Sequence, residues 1–275
     1  MPVKLIINAD DFGFSPGVNR GIIECIERGY LKSATIMVNT PGANEALEYA
    51  RGHPELGFGL HFNIGWGRPV CGRAPSISGS DGAFLRPRRL IPRILAHAVD
   101  PDDVAREAAA QIQRCLEAGV KLTHIDSHQH FHVFRPVYEG LLKAASVHGI
   151  RSFRLPMDIL TRESRSSWKA RLLRVLSRGL ASRLKQDGLW HPDRFYGSAM
   201  MGAAFTRHHL ASVIRGMPAQ TTVEVMVHPG RPEPDFRKID PYVEWREVEI
   251  EVLGSAEIRE AIDASGAIVS DFRAL

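Results

Sequence analysis

Short apolar runs alternate with amphipathic stretches along most of the chain. Residues 3–9 (VKLIINA) are apolar and run into two carboxylates, as expected of a strand covered on both faces in a parallel sheet. Residues 19–29 (NRGIIECIERG) carry apolar side chains at helical spacing and finish on a glycine, which reads as a helix with its stop signal. The two patterns recur. Strands are predicted at 34–39, 57–63, 121–127, 221–228 and 267–272, helices at 43–51, 101–118, 137–148 and 255–264, and an extended piece at 151–155. This succession predicts an α/β fold, a parallel sheet curled into an irregular or incomplete (β/α) barrel with helices outside. Residues 66–92 are rich in Gly, Pro, Ser and Arg. Strand–helix units continue on either side, so this stretch reads as a loop inserted over a site within a single domain spanning 1–275.

Composition narrows the class only slightly. With 44% hydrophobic and 24% charged residues, the chain is neither disordered, collagen-like nor a coiled coil. Cys25, Cys71 and Cys115 are odd in number and far apart, so no disulfide framework follows and a reducing cytosol is expected. No signal-peptide pattern opens the chain, and no run approaches the ~20 apolar residues of a membrane span. A soluble cytoplasmic protein is the expectation.

Polar clusters fall at the C-terminal ends of the predicted strands, where parallel α/β folds place their active sites. The first is Asn8-Ala9-Asp10-Asp11-Phe12-Gly13. Adjacent residues of a strand face opposite ways, so one carboxylate can hold a metal while the other serves as a base; the plainer alternative is a strand end capping the next helix. His61 ends the strand Gly59-Leu60-His61, as a ligand or as an ordinary hydrogen-bonded histidine. The most specific cluster is His124-Ile125-Asp126-Ser127-His128-Gln129-His130-Phe131-His132. In an extended chain its four imidazoles and one carboxylate share a face, although that geometry is expected to fail beyond Ser127, so that only some of them converge. His228, before Pro229-Gly230, ends a further strand and is either a proton donor or a packed residue. One Asp and two His make a facial ligand set that leaves room for water and substrate, which points to a hydrolase.

Together, Asn8 to Gly13, Gly59-Leu60-His61, Thr123 to His130 and His228-Pro229-Gly230 resemble the motifs of the YdjC-like carbohydrate deacetylases, relatives of polysaccharide deacetylases with an irregular (β/α) barrel. The resemblance implies Asp11, His61 and His128 as metal ligands, Asp10 as general base and His228 as general acid. It leaves Asp126, His130 and His124 as candidates to orient the ligands. The implied cofactor is one divalent ion, Zn²⁺ first, with Mg²⁺, Mn²⁺, Fe²⁺ or Co²⁺ as alternatives. The implied reaction removes an acetyl group from an N-acetylated amino sugar. Phe62 and Trp66 are candidate sugar-stacking residues. A non-catalytic sugar- or lipid-binding barrel is a rival reading, disfavoured because binding alone needs no base such as Asp10, and a phosphoesterase is a weaker one.

The formal net charge of +4 is unevenly spread. Residues 162–185 hold eight basic side chains and one acid, so the rest of the chain is net acidic. Trp168, Leu172, Val175, Leu176, Leu180 and Leu184 follow helical spacing and form an apolar stripe beside that basic face. Such a helix either packs on the barrel with a solvated basic face or lies on an anionic membrane, with Trp168, Arg171, Arg174 and Arg178 as the contacts. No nucleic-acid motif accompanies the charge. The membrane alternative implies a lipid-linked sugar at the inner face of the membrane. In length and in this segment the chain is similar to the branch of the family associated with hopanoid biosynthesis, whose substrate is an N-acetylglucosaminyl hopanoid; a chitooligosaccharide is the other candidate.

Overall fold

The computed structural model describes residues 2–161 and 168–275. In chain order the elements are β1 (Lys4–Phe12), α1 (Pro16–Glu27), β2 (Ser33–Ile36), α2 (Ala43–Gly52), β3 (Gly57–Phe62), α3 (Pro87–Leu95), α4 (Pro101–Glu117), β4 (Leu122–Ser127), α5 (Arg135–Val147), α6 (Trp168–Gln186), β5 (Arg194–Tyr196), α7 (Arg207–Arg215), β6 (Thr222–Val227), α8 (Val243–Leu253), α9 (Ala256–Ser265) and β7 (Ile268–Ser270). The strands pair in parallel in the order β4-β3-β2-β1-β6-β5, with β7 joining the lower end of β1.

The two edges of this curled sheet are bridged by residues 151–159. Arg154 N donates to Ile125 O in β4 at 3.1 Å, Phe153 N to Trp190 O at 2.9 Å, and Ile159 N to Phe195 O in β5 at 2.9 Å. Pro156 lacks the N–H that a regular ladder needs, so the bridge stays irregular. The result is an irregular α/β barrel, as the alternating pattern predicts.

Strand alternation sorts the side chains. Leu5, Ile7 and Ala9 of β1, Phe58, Leu60 and Phe62 of β3, and Val223, Val225 and Val227 of β6 belong to the hydrophobic core between sheet and helices. The opposite face, lining the barrel, is polar: Asn8 and Asp10, Thr35, His61, His124 and Asp126, and Glu224, all buried. Gly59 belongs to this lining. A Cβ there would lie 2.5 Å from the imidazole of His124, so only glycine leaves that ring its place.

Several expectations need correction. The 66–92 loop ends in α3, which begins at Pro87 and tolerates Pro92. The last strand is only three residues long, because Asp271 caps a 3₁₀ turn over Phe272–Ala274. β5, α7 and α8 lack a clear pattern in the sequence: β5 is too short, and α8 buries the polar residues Arg246 and Glu249. Of the basic segment, residues 162–167 lie outside the described residues. The predicted apolar stripe of α6 divides in two: Leu180 and Leu184 are fully buried, whereas Trp168, Leu172 and Val175 are 67%, 51% and 57% exposed.

Candidate active site

The chain leaves β1 through a kink. Asp11 adopts φ 69°, and the β1–β2 register shifts between Ala9 and Phe12. This left-handed residue, sterically costly for aspartate, removes the alternation expected of neighbours on a strand, so Asp10 and Asp11 both reach the upper end of the barrel lining. Asp11 Oδ1 lies 3.3 Å from His61 Nε2 and 2.9 Å from His128 Nδ1. The donor atoms of Asp11, His61 and His128 all fall within 4.8 Å of one another. His128 opens a 3₁₀ turn in which Gln129 and His130 are left-handed, which ends the extended geometry after Ser127.

These donors fit a divalent cation. Ligand atoms of an ion bound at ~2.0–2.2 Å are separated by roughly 2.8–3.6 Å in octahedral or tetrahedral geometry, and the two Asp11 spacings fall in that range. His61 Nδ1 donates to Asp126 Oδ1 at 2.7 Å, so Nε2 is the ring nitrogen that faces Asp11 and is placed for an ion. The charge also fits. Asp10, Asp11, Asp126 and Glu224 are buried with only Arg154 and Arg246 as buried cations among them. Burial pulls the His61 imidazole down, but Asp126 and Asp10 outweigh it and push it up to about 10. This is the mark of negative charge in excess.

Arg154 organises the floor of the site. Its Nη1 and Nη2 grip the two oxygens of Asp10, and its Nε reaches Glu224 Oε1, each at 2.6 Å; Nη1 also lies 2.5 Å from Asp126 Oδ2. Burial favours the neutral acid of Asp10, but Arg154 holds it far below the usual carboxylate range. At Glu224 burial wins over Arg154 and pushes the carboxyl up to about 7. His132 braces the backbone of Arg154: its Nε2 donates to the Arg154 main-chain carbonyl at 3.2 Å and its Nδ1 meets Ser127 Oγ at 2.6 Å.

A second arginine fixes the Asp11 carboxylate. Arg246 Nη2 donates to Asp11 Oδ2 and to Asp240 Oδ2, both at 2.6 Å. Burial is again outweighed, by Arg246 and His128, and Asp11 sits well below its ordinary value. His228 follows β6, whose Val227 pairs with Ala9 just before Asp10. Its backbone N–H donates to Glu249, and its Nδ1 has no hydrogen-bond partner, with Glu249 Oε1 at 3.9 Å. Tyr242 stands edge-on to the ring and donates to Glu249 Oε1 at 2.6 Å.

Asp10, Asp11, His61, His128, Asp126 and His228 thus converge. Other candidates do not. Phe62 is fully buried between sheet and helices, so its ring is not open to a sugar; alternation turns it away from His61. His124 lies lower in the barrel, stacked on Phe272 at 3.5 Å, and touches none of the ligands. His130 Nε2 faces Ser198 Oγ at 3.3 Å, and its ring packs edge-on to Phe195. Trp66 stands two rings from the centre, against Phe14, which in turn packs on His128. Arg174 is not free to meet a membrane, since it donates to the Asp158 carbonyl at 2.6 Å; Trp168, Arg171 and Arg178 are exposed. Arg154, Arg246, Glu224 and Glu249 escaped the sequence reading. The available signal was a charged residue inside an apolar run, as in SFRLP and TVEVMV.

The YdjC-like protein family matches residues 4–264. The chain belongs to this family. A carbohydrate deacetylase of Brevibacillus brevis is 34% identical over 261 residues, covering 94% of each chain. One from Listeria monocytogenes is 31% identical over 274 residues, covering 99% of this chain and all of the other. Among solved structures, an Enterococcus faecalis protein described as a candidate cellobiose-phosphate cleavage protein superposes with a TM-score of 0.81 at 26% identity, covering 100% of this chain and 99% of that one. A lactam utilization protein of Thermus thermophilus, at 15% identity and a TM-score of 0.51, shares the fold alone.

Proposed function

We propose that this YdjC-like protein is a carbohydrate deacetylase, a hydrolase that uses one divalent ion to remove the acetyl group of an N-acetylated amino sugar. The observation that carries the reading is the convergence of a two-imidazole, one-carboxylate donor set with a separate, Arg-held carboxylate and an unpartnered imidazole. Relatives named carbohydrate deacetylase along nearly the whole chain support it.

Asp11, His61 and His128 would hold the ion, and this donor set suits Zn²⁺ best. When bound, the ion supplies Lewis acidity toward the acetamide oxygen and lowers the pKa of nearby water toward ~7. Asp10 takes a proton from the attacking water as its oxygen bonds to the acetyl carbon. Arg154 fixes that carboxylate through both oxygens and reduces its basicity. Asp126 holds the His61 tautomer. The C–N bond breaks, His228 gives the departing nitrogen its proton, and acetate and a free amine leave. Acetate release, followed by mass spectrometry with Zn²⁺, Mg²⁺, Mn²⁺, Fe²⁺ and Co²⁺ on N-acetylglucosaminyl lipids and chitooligosaccharides, tests the reading. Full activity in Asp10→Asn or His61→Ala would overturn it.

A lipid-linked substrate, as in the hopanoid-associated branch, is favoured over a chitooligosaccharide by one observation. The exposed Trp168, Leu172 and Val175 sit on α6 with the exposed Arg171 and Arg178, a surface suited to an anionic membrane face. Contact there would be peripheral: among the described residues no helix is long and apolar enough to cross a membrane.

A further inference from the structure

A cavity of about 590 Å³ opens at the end of the barrel opposite the metal ligands, where β3 and β4 begin. Its apolar part comes from Phe58, Leu122 and Phe272, the last of which also stacks on His124. Trp190, 51% exposed, stands at the mouth with the Arg151 guanidinium 5.3 Å from its ring centroid. Four cations line the cavity, Arg51, Lys121, Arg151 and Arg273; no Asp or Glu side chain does, and Leu275, the last residue of the sequence, completes the lining.

One of the four is neutralised: Arg273 donates to Asp271 at 2.7 Å. Arg151 meets only uncharged partners, the Gly188 carbonyl at 2.9 Å and the Trp190 ring. Arg51 lays its aliphatic stem over Gly119, where any Cβ would come within 3.4 Å of it. Among the described residues no carboxylate forms an ion pair with Arg51, Lys121 or Arg151. Three cations without an ion-paired carboxylate around one apolar recess lower the local cost of an anion. The volume falls in the range of small-molecule sites, which pair apolar walls with a few placed charged groups.

We infer that this recess is a second ligand site, separate from the deacetylase centre, that takes an amphipathic anion: a phosphate or carboxylate head held by Arg51, Lys121 and Arg151, with a hydrocarbon body on Phe58, Leu122 and Phe272. Head and body both contribute. A bare anion loses the apolar burial, and a neutral alkyl chain leaves the cations unpaired.

Calorimetric titration of the full chain with octyl phosphate, inorganic phosphate and octanol tests this. Octyl phosphate binds one equivalent, at least tenfold more tightly than either fragment. The exposed Lys121→Gln/Arg151→Gln pair weakens it at least tenfold, whereas Arg171→Gln/Arg178→Gln on α6 does not. Absence of octyl phosphate binding, equal affinity for octanol or for inorganic phosphate, or an unchanged affinity in Lys121→Gln/Arg151→Gln overturns the assignment. Deacetylase activity stays intact in that double variant, so failure here is distinguishable from failure of the catalytic reading.

Discussion

Replacing Arg154 by Met tests the electrostatic core directly. The substitution keeps most of the volume and deletes a guanidinium that contacts Asp10, Asp126 and Glu224 inside the barrel. Asp126 retains His61 at 2.7 Å and Thr35 at 3.3 Å. Glu224, already pushed up to about 7, takes a proton. Asp10 keeps the Asn8 amide at 3.0 Å and the nearby His61 imidazole but loses its main cation, the one that grips both its oxygens. Removing one partner of such a pair costs about 3–5 kcal/mol. At ~2–4 °C per kcal/mol for a domain of this size, the metal-free variant should melt roughly 6–20 °C lower at pH 7. The pH dependence should also steepen between pH 7 and 5, where the parent gains stability on acidification only through raised groups such as Glu224. In the parent, Asp10 is depressed, so its contribution is present above the usual carboxylate range near ~4 and is lost as pH falls through it. In the variant, the desolvated Asp10 is raised instead, and the protein gains stability as pH falls from 7 toward 5. Thermal unfolding in chelator between pH 5 and 8 measures both effects. A variant within 2 °C of the parent, or with the parent's pH slope, would refute the reasoning.

Other consequences are equally open to measurement. Asp126→Ala removes the acceptor that sets the His61 tautomer and should weaken Zn²⁺ binding about 10–100-fold in a competitive chelator titration. Saturating divalent ion should raise the stability of the parent by about 2.7 kcal/mol at 100 times its Kd, and Asp11→Asn should abolish that gain in calorimetric scans. Phe62→Ala should cost about 3–5 kcal/mol in denaturant unfolding yet leave KM unchanged, because the ring lies in the core and not in the site. Arg171→Gln/Arg178→Gln should reduce binding to anionic vesicles by about 2 kcal/mol, roughly 30-fold, in a sedimentation assay; unchanged binding refutes the electrostatic part of the membrane reading.

The elements with strong periodicity were legible in advance: β1, β3, β4 and β6 as apolar runs, and α4 and α5 as amphipathic helices. So was the polar chemistry at their ends, because residue type and strand position together locate Asp10, Asp11, His61, His128 and His228. Short or irregular pieces were not legible. The 151–159 bridge has no period to read, and β5 is too brief to show one. Phe62 was misplaced because a ring beside a histidine looks available until alternation is applied.

The sequence by itself determined the α/β class, the residues with the chemistry and the uneven charge, since these follow from local pattern and composition. Only the tertiary structure decided how they combine. The left-handed Asp11 brings two neighbouring carboxylates into one site, and two arginines distant in sequence hold them, Arg154 on Asp10 and Arg246 on Asp11, each at low basicity. The four histidines of the 124–132 stretch divide into a ligand candidate, a brace for Arg154 and two packed rings. These outcomes depend on burial and on partners distant in sequence, and both set the cost of a charge more strongly than residue type does.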